Sequence, residues 1–325
     1  MSAALARRRS PAAGLEIGWY AVAAVTIGLG LTTAALLQPW RLDFLDWRRV
    51  LEAGDAWARG QSPYAVPGYF YTPALAVLAA WLPDASTILV VLAGMATAVA
   101  LAPRHPIAVL AVLCYPPVWG DLALGNVTIL LTGAVVLALG EDRPLRGVPL
   151  GLGLALVPKP MFIPVLLWML VHRRRSLAGV VAAGLAVTLP ALLTGLYPAF
   201  VAALMRGITP DFAGNLSITM VLPWAGVPVS VLAVLVALAV VRREESGLMA
   251  AAIAGSLIGT YVGVYAPVLA AGMLPRYELV HPRRGLILAA IGSLAVLTLP
   301  LAAALAIAVT VLAGRPGGPS SNTAD

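Results

Sequence analysis

From Ile17 to Leu37 the chain carries an almost unbroken apolar run, and similar runs return at 72–83, 85–102, 107–119, 126–140, 147–171, 176–195, 226–241, 247–274 and 285–313. An α-helix needs about 20 apolar residues to cross a bilayer, so the pattern predicts an all-α, polytopic transmembrane helical bundle of about eight to twelve membrane segments. Several runs are too short for a crossing or carry Pro or Gly near the middle. The run 147–171 lies between Arg143/Arg146 and Arg173–Arg175. If both basic clusters face the same side, this run enters and returns as a hairpin with its tip at Pro158-Lys159-Pro160. The run 247–274 has the same form, with Tyr261 to Pro267 at its centre. Irregular backbone at membrane depth is tolerated only within protein or beside a wet cavity. Both tips therefore point to a site.

One stretch inside the chain breaks the apolar rhythm. Residues 41–71 hold Asp43, Asp46, Glu52 and Asp55 among four arginines, while Trp47, Val50, Leu51, Ala53 and Trp57 recur at helical spacing. This is the pattern of an amphipathic helix, expected on the outer leaflet with its tryptophans at headgroup depth. It is broken by Ser62-Pro63-Tyr64, and the chain re-enters lipid at Thr72-Pro73. The run 17–37 is long and no convincing cleavage site follows it. It reads as a retained first membrane helix with its N-terminus in the cytoplasm, which makes 41–71 the first external loop. Residues 1–314 form one integral membrane domain on this reading. The Gly-, Pro- and Ser-rich 315–325 form a disordered tail.

Composition agrees. Hydrophobic residues make up 61% of the 325 and charged residues 11%, with a mean hydropathy of +0.93. A soluble domain lies near half apolar and a quarter charged. The net charge of +7 could suggest nucleic acid, but the arginines come in short clusters between apolar runs and form no stripe with interleaved aromatics. No nucleic-acid partner is expected, and membrane lipids are. Cys114 is the single cysteine and can form no internal disulfide. No phosphate-binding Gly-rich loop with Lys-Ser/Thr and no dinucleotide fingerprint occurs. The scattered His105, His172 and His281 suggest no metal site, so no cofactor or metal is expected. Gly151-x-Gly153 reads as close helix packing.

Ionisable and amide residues close to hydrocarbon each need an account. Asp43 and Asp46, just past the first helix, offer a carboxylate general base for an acceptor hydroxyl, or are solvated loop acids. Lys159, isolated between two prolines, suits an anion such as phosphate, or snorkels to the interface. Asn126 and Asn215 sit at segment starts, where amides also cap helices. Arg206, with Asp211, lies on the loop from Tyr197 to Trp224.

These residues resemble a known family. Asp43-Phe44-Leu45-Asp46-Trp47, then Ala56, Ala58, Gly60, Pro63-Tyr64 and Tyr69-Phe70-Tyr71-Thr72-Pro73 are similar to the opening of glycosyltransferase family 87. Gly125-Asn126-Val127, Gly151 through Lys159, the basic loop Arg173–Arg175, Asn215-Leu216-Ser217 and Tyr265-x-Pro267 follow in that family's order, with Asn126 where the family has Gln. The resemblance covers about residues 40–270. It implies a C-superfamily glycosyltransferase that takes a sugar, mannose or arabinofuranose, from a polyprenyl-phosphate donor to a lipid or glycan acceptor on the outer face. It assigns the general base to Asp43, with Asp46 as the fallback, and turns Lys159 toward the donor phosphate. Tyr64, Tyr71, Asn126, Arg206, Asn215 and Tyr265 are the further substrate-binding candidates. Two other readings stay open at this point: a lipid-linked-glycan transporter, and a non-catalytic envelope-assembly scaffold.

Overall fold

A computed structural model describes residues 11–36, 44–103, 105, 107–206, 218–220, 222–259, 265–294 and 299–312. Among the described residues the chain is all helix and turn, with no strand. The first helix, α1 (Pro11–Leu36), is apolar on every side, and Ile17, Val25 and Leu31 stay exposed on it. In water such a surface would associate; lipid accounts for it. The amphipathic stretch folds as α2 (Leu45–Ala58), with Trp47, Val50 and Ala53 buried and Arg48 and Glu52 outside. Its apolar face packs on protein and not on a leaflet. It meets α3 (Pro73–Ala79), and the Trp47 indole donates to Ser86 Oγ at 3.0 Å, at the head of α4 (Ser86–Ala100). Trp47 is thus covered by protein and not turned to lipid. The periodicity showed which face is apolar, and the tertiary fold supplied a protein surface to cover it.

Proline sets many of the later helix starts, because its missing N–H has no intrahelical partner there anyway. After α5 (Ala108–Cys114), Pro116 opens α6 (Pro116–Ala123), which meets α7 (Thr128–Gly140) across a short break at 116°. Pro144 opens α8 (Pro144–Leu156), and Pro160 opens the turn that leads into α9 (Ile163–His172). The segment from α8 to α9 does go in and come back. Beyond it, at the start of α10 (Arg174–Leu192), the Ser176 hydroxyl donates to the Glu141 and Arg143 carbonyls and its N–H to Asp142, beside the point where α8 began. Having returned, the chain runs α10 parallel to α8 at very close range. A Cβ on Gly147 or Gly151 would run into the Ser176 or Val180 backbone, and one on Gly179 into Pro144.

The second half repeats the device. After α11 (Tyr197–Arg206) and α12 (Gly226–Val240), α13 (Glu245–Gly255) and α14 (Val268–Val280) form a second in-and-out pair. Arg276 near the end of α14 closes it, donating to both Glu245 carboxylate oxygens at 2.6 and 2.7 Å. Finally, α15 (Pro282–Ser293) and α16 (Leu299–Leu312) pack beside α1 and α13. Several of the largest buried side chains, Trp168, Met169, Leu248, Leu269 and Tyr277, lie where α9, α13 and α14 meet.

The protein is an all-α polytopic membrane protein. By length and apolarity, Gly14–Ala35 and Arg174–Leu192 can each cross a bilayer, and α6 with α7 can do so as one bent span. Others are short: the 13 residues of α8 rise about 20 Å, less than the roughly 30 Å of hydrocarbon. The breaks at 124–127 and 157–162 and the one after α13 gather at one end of the bundle. At the other end lie Arg143, Arg173, Arg243 and Arg276, the last three bonded to main-chain carbonyls there: Arg173 and Arg276 to Leu139, Arg243 to Val311.

Candidate active site

At the end with the breaks, the ends of α6 and α8 expose carbonyls that no intrahelical partner can satisfy. The first polar loop satisfies them. Phe44 N–H donates to Ala123 and Asp46 N–H to Leu124, at 3.2 and 2.9 Å, which seats the start of α2 on the end of α6. Phe44 takes a left-handed conformation (φ 40°) to do this. Gly125 opposite it also has positive φ (65°), and a Cβ there would press on Trp47 and Phe44. Thr72 does the same for α8: its hydroxyl reaches the Ala155 and Leu156 carbonyls at 2.8 and 3.0 Å. Two broken helices are thus tied to one loop.

The side chains assembled by these ties carry the chemistry. Asn126 Oδ1 accepts from the N–H groups of Val127 and Thr128, at 2.8 and 3.2 Å, and caps α7. With its oxygen so engaged, its Nδ2 faces Asp46 and donates to Oδ2 at 2.7 Å. The other Asp46 oxygen stands 3.8 Å from Arg49. Lys159, half-buried at the α8–α9 tip, holds its ammonium 4.2 Å from the centre of the Tyr265 ring. It also lies within electrostatic reach of Asp46 and of Asp121. Tyr71 completes the group, its phenol near Asp46, Tyr265 and Asp121; burial first, then Asp46, holds it well above the usual tyrosine range. It stays a proton donor at any physiological pH. Tyr64 stands behind, donating to the Tyr71 carbonyl at 3.0 Å and packed against Tyr69 and Phe200.

Of the residues singled out from sequence, Asp46, Tyr71, Asn126, Lys159 and Tyr265 thus converge, with Tyr64 next to them. Asp43, Asn215 and Asp211 lie outside the described residues, as does the side chain of Arg206. Sequence reasoning missed Asp121. It is wholly buried (0% exposed), and its Oδ2 accepts from the Ile129 N–H at 2.8 Å. The signal was there, since an acid two residues past Trp119 in an apolar context needs the same account as Lys159. Ending the run at Trp119 left Asp121 in a presumed connection, whereas it lies on α6. Among the described residues no group of three or more His, Cys, Asp or Glu side chains is arranged to hold a metal.

The arrangement offers one ammonium among carboxylates, phenols and an amide, at the end of a bundle whose outer surface is apolar. It can receive an anion and orient a hydroxyl beside it. Comparison with known proteins supplies a family. The model of glycosyltransferase family 87 matches residues 76–270, more than half of the chain and inclusive of Asp121, Asn126, Lys159 and Tyr265. The first-loop residues up to Pro73 lie before the matched stretch. No curated protein and no solved structure matches the chain.

Proposed function

The chain belongs to glycosyltransferase family 87 and is a membrane glycosyltransferase, and from that premise we propose that it moves mannose or arabinofuranose from a polyprenyl-phosphate donor to a lipid-linked or envelope glycan on the outer face of the cell membrane. The observation that carries the reading is Lys159: a half-buried ammonium at a broken-helix tip, beside two carboxylates. A donor carried by a prenyl chain has to be met at membrane depth, and its phosphate calls for a fixed positive charge.

In the proposed reaction the acceptor hydroxyl oxygen attacks the anomeric carbon and gives its proton to a carboxylate. The bond from that carbon to the phosphate oxygen breaks, its electron pair leaving with polyprenyl phosphate, whose charge Lys159 stabilises. We assign the base to Asp43, on the family resemblance, with Asp46 as the base if Asp43 is dispensable. Tyr71, Tyr64, Asn126 and Tyr265 line the place of the reacting groups, and Arg206 and Asn215 are the remaining substrate contacts. No cofactor enters. A largely apolar cavity between α1, α5, α14, α15 and α16 supports a prenyl-borne donor. It has Val118 and Ile129 toward the site and Trp19 toward the basic end, and it is a dry place for part of a hydrocarbon tail.

The test is transfer by purified protein in lipid nanodiscs supplied with each polyprenyl-phosphate sugar. Formation of a glycosidic product that Asp43→Asn abolishes supports the reading. Transfer unchanged by Asp43→Asn but lost in Asp46→Asn moves the base to Asp46. Movement of the sugar lipid across vesicles with no glycosidic bond formed replaces the transferase by a transporter.

A further inference from the structure

Asp121 has a structural duty that explains only half of it. One carboxylate oxygen accepts from Ile129 N–H in the first turn of α7, a capping role that a neutral Asn or Ser side chain fills equally well. The other oxygen is buried with no hydrogen-bond partner among the described residues. An ionised carboxylate wholly out of water is costly unless a cation stands near. Capping therefore accounts for an oxygen at this position but not for a charge.

The cation in reach is Lys159. Its position is unusual in turn. Tyr265 covers it with the face of a ring, Asp46 and Asp121 flank it, and no hydrogen bond reaches its ammonium among the described residues. Asp46 is already engaged, by Asn126 on one oxygen and by Arg49 near the other. That leaves Asp121 with Lys159. Resting on the reading of Lys159 as the donor-phosphate site, we propose that Asp121 is the positioning residue of this enzyme. It is the counter-ion that keeps Lys159 an ammonium, with its protons free and aimed at the incoming phosphate.

The reason is electrostatic. Removal from water favours the neutral amine of a lysine, and an adjacent carboxylate opposes that. Take the carboxylate away and Lys159 gives up its proton as pH rises, so phosphate recognition fails from the alkaline side. The groups that face Asp121 are Lys159 at the α8–α9 tip, Asp46 on α2, Tyr71 from the first loop and the Thr128 hydroxyl of α7, which donates to Asn126 Oδ1, with the Ile129 N–H of α7 on its bonded oxygen.

The experiment compares binding of polyprenyl phosphate and of the uncharged polyprenol to full-length protein in nanodiscs, from pH 6 to pH 9. Wild type prefers the phosphate throughout. In Asp121→Asn, which keeps the cap, the preference persists at pH 6 and falls about tenfold toward pH 9, roughly one unit of proton affinity. Asp121→Ser, also a capping residue, serves if the Asn protein does not fold. Lys159→Arg on the Asp121→Asn background restores the preference at pH 9, because a guanidinium does not lose its proton. Adding Asp121→Asn to Lys159→Ala costs nothing further, since both act through one charge. A pH-independent preference in Asp121→Asn, or losses that multiply in the double variant, overturns the inference and leaves the donor reading standing. Wild type that binds phosphate and alcohol alike overturns the donor reading itself.

Discussion

Asn126 shows how one side chain can serve the fold and the site together. Its oxygen caps α7, and that bond forces its amide toward Asp46, so the helix start and the carboxylate are positioned by the same residue. Two substitutions separate the duties. Asn126→Ala removes both and lowers stability by about 1–2 kcal/mol, the usual cost of a lost cap, in thermal unfolding of the purified protein. Asn126→Asp keeps an acceptor for the cap but sets a second negative charge against Asp46. Its unfolding should stay within about 1 kcal/mol of the wild type, while sugar transfer is lost. Transfer at the wild-type rate in Asn126→Asp would show that the Asp46–Asn126 contact plays no part in the reaction.

At the scale of elements, the short helices are what make a site possible. An uninterrupted span satisfies its own backbone and offers nothing to a ligand. A broken one presents helix ends, and these ends need partners. Thr72 is such a partner for α8. Thr72→Val keeps the shape and removes the hydroxyl that reaches two carbonyls. We expect a loss of about 1–3 kcal/mol in unfolding and a raised KM for the donor, since Lys159 sits three residues beyond Leu156. The pair α8–α10 depends on glycine where backbone meets backbone. Gly151→Leu has no room against Val180, and overpacking of this kind costs at least about 1–3 kcal/mol; the measured outcome should be poor membrane expression. The clasp at the other end of the second hairpin is bonded to a charged group. Arg276→Met should cost about 2 kcal/mol, read by the same unfolding assay.

On the scale of the whole molecule, the arginines Arg143, Arg173, Arg243 and Arg276 and the break that carries Lys159 lie at opposite ends. Arg146 is exposed near the start of α8 and Arg59 is exposed beyond the end of α2. In a Cys114→Ser background, Arg59→Cys should react with a membrane-impermeant thiol reagent added outside cells. Arg146→Cys should react only after the membrane is opened. Both labelled from one side would contradict the arrangement. Much of this layout was legible in the chain. The hydrophobic runs, the prolines and the flanking arginines together indicated an all-helical membrane protein whose run 147–171 doubles back at Lys159. The apolar periodicity from Trp47 to Trp57 indicated the helix that the structure shows as α2. The site was legible in parts. Lys159, Asp46 and Asn126 stood out as polar groups in or beside apolar surroundings, whereas Asp121 was hidden by a run ended too soon. Arg276 and Glu245 gave no local sign, because 31 residues separate two ends that only the folded hairpin brings together.

Local pattern alone therefore determined the class of fold, the helix that starts the first polar loop and the break at Pro158-Lys159-Pro160. These follow from the transfer of side chains to lipid and from proline's missing N–H, which act over a few residues. The tertiary structure decided which break faces which, that Trp47 packs on protein, and that Asp121 and Lys159 come within electrostatic reach of each other. Those outcomes depend on the register of helices far apart in sequence, set by backbone contact at glycines and by long-range hydrogen bonds, and no local periodicity encodes such a register.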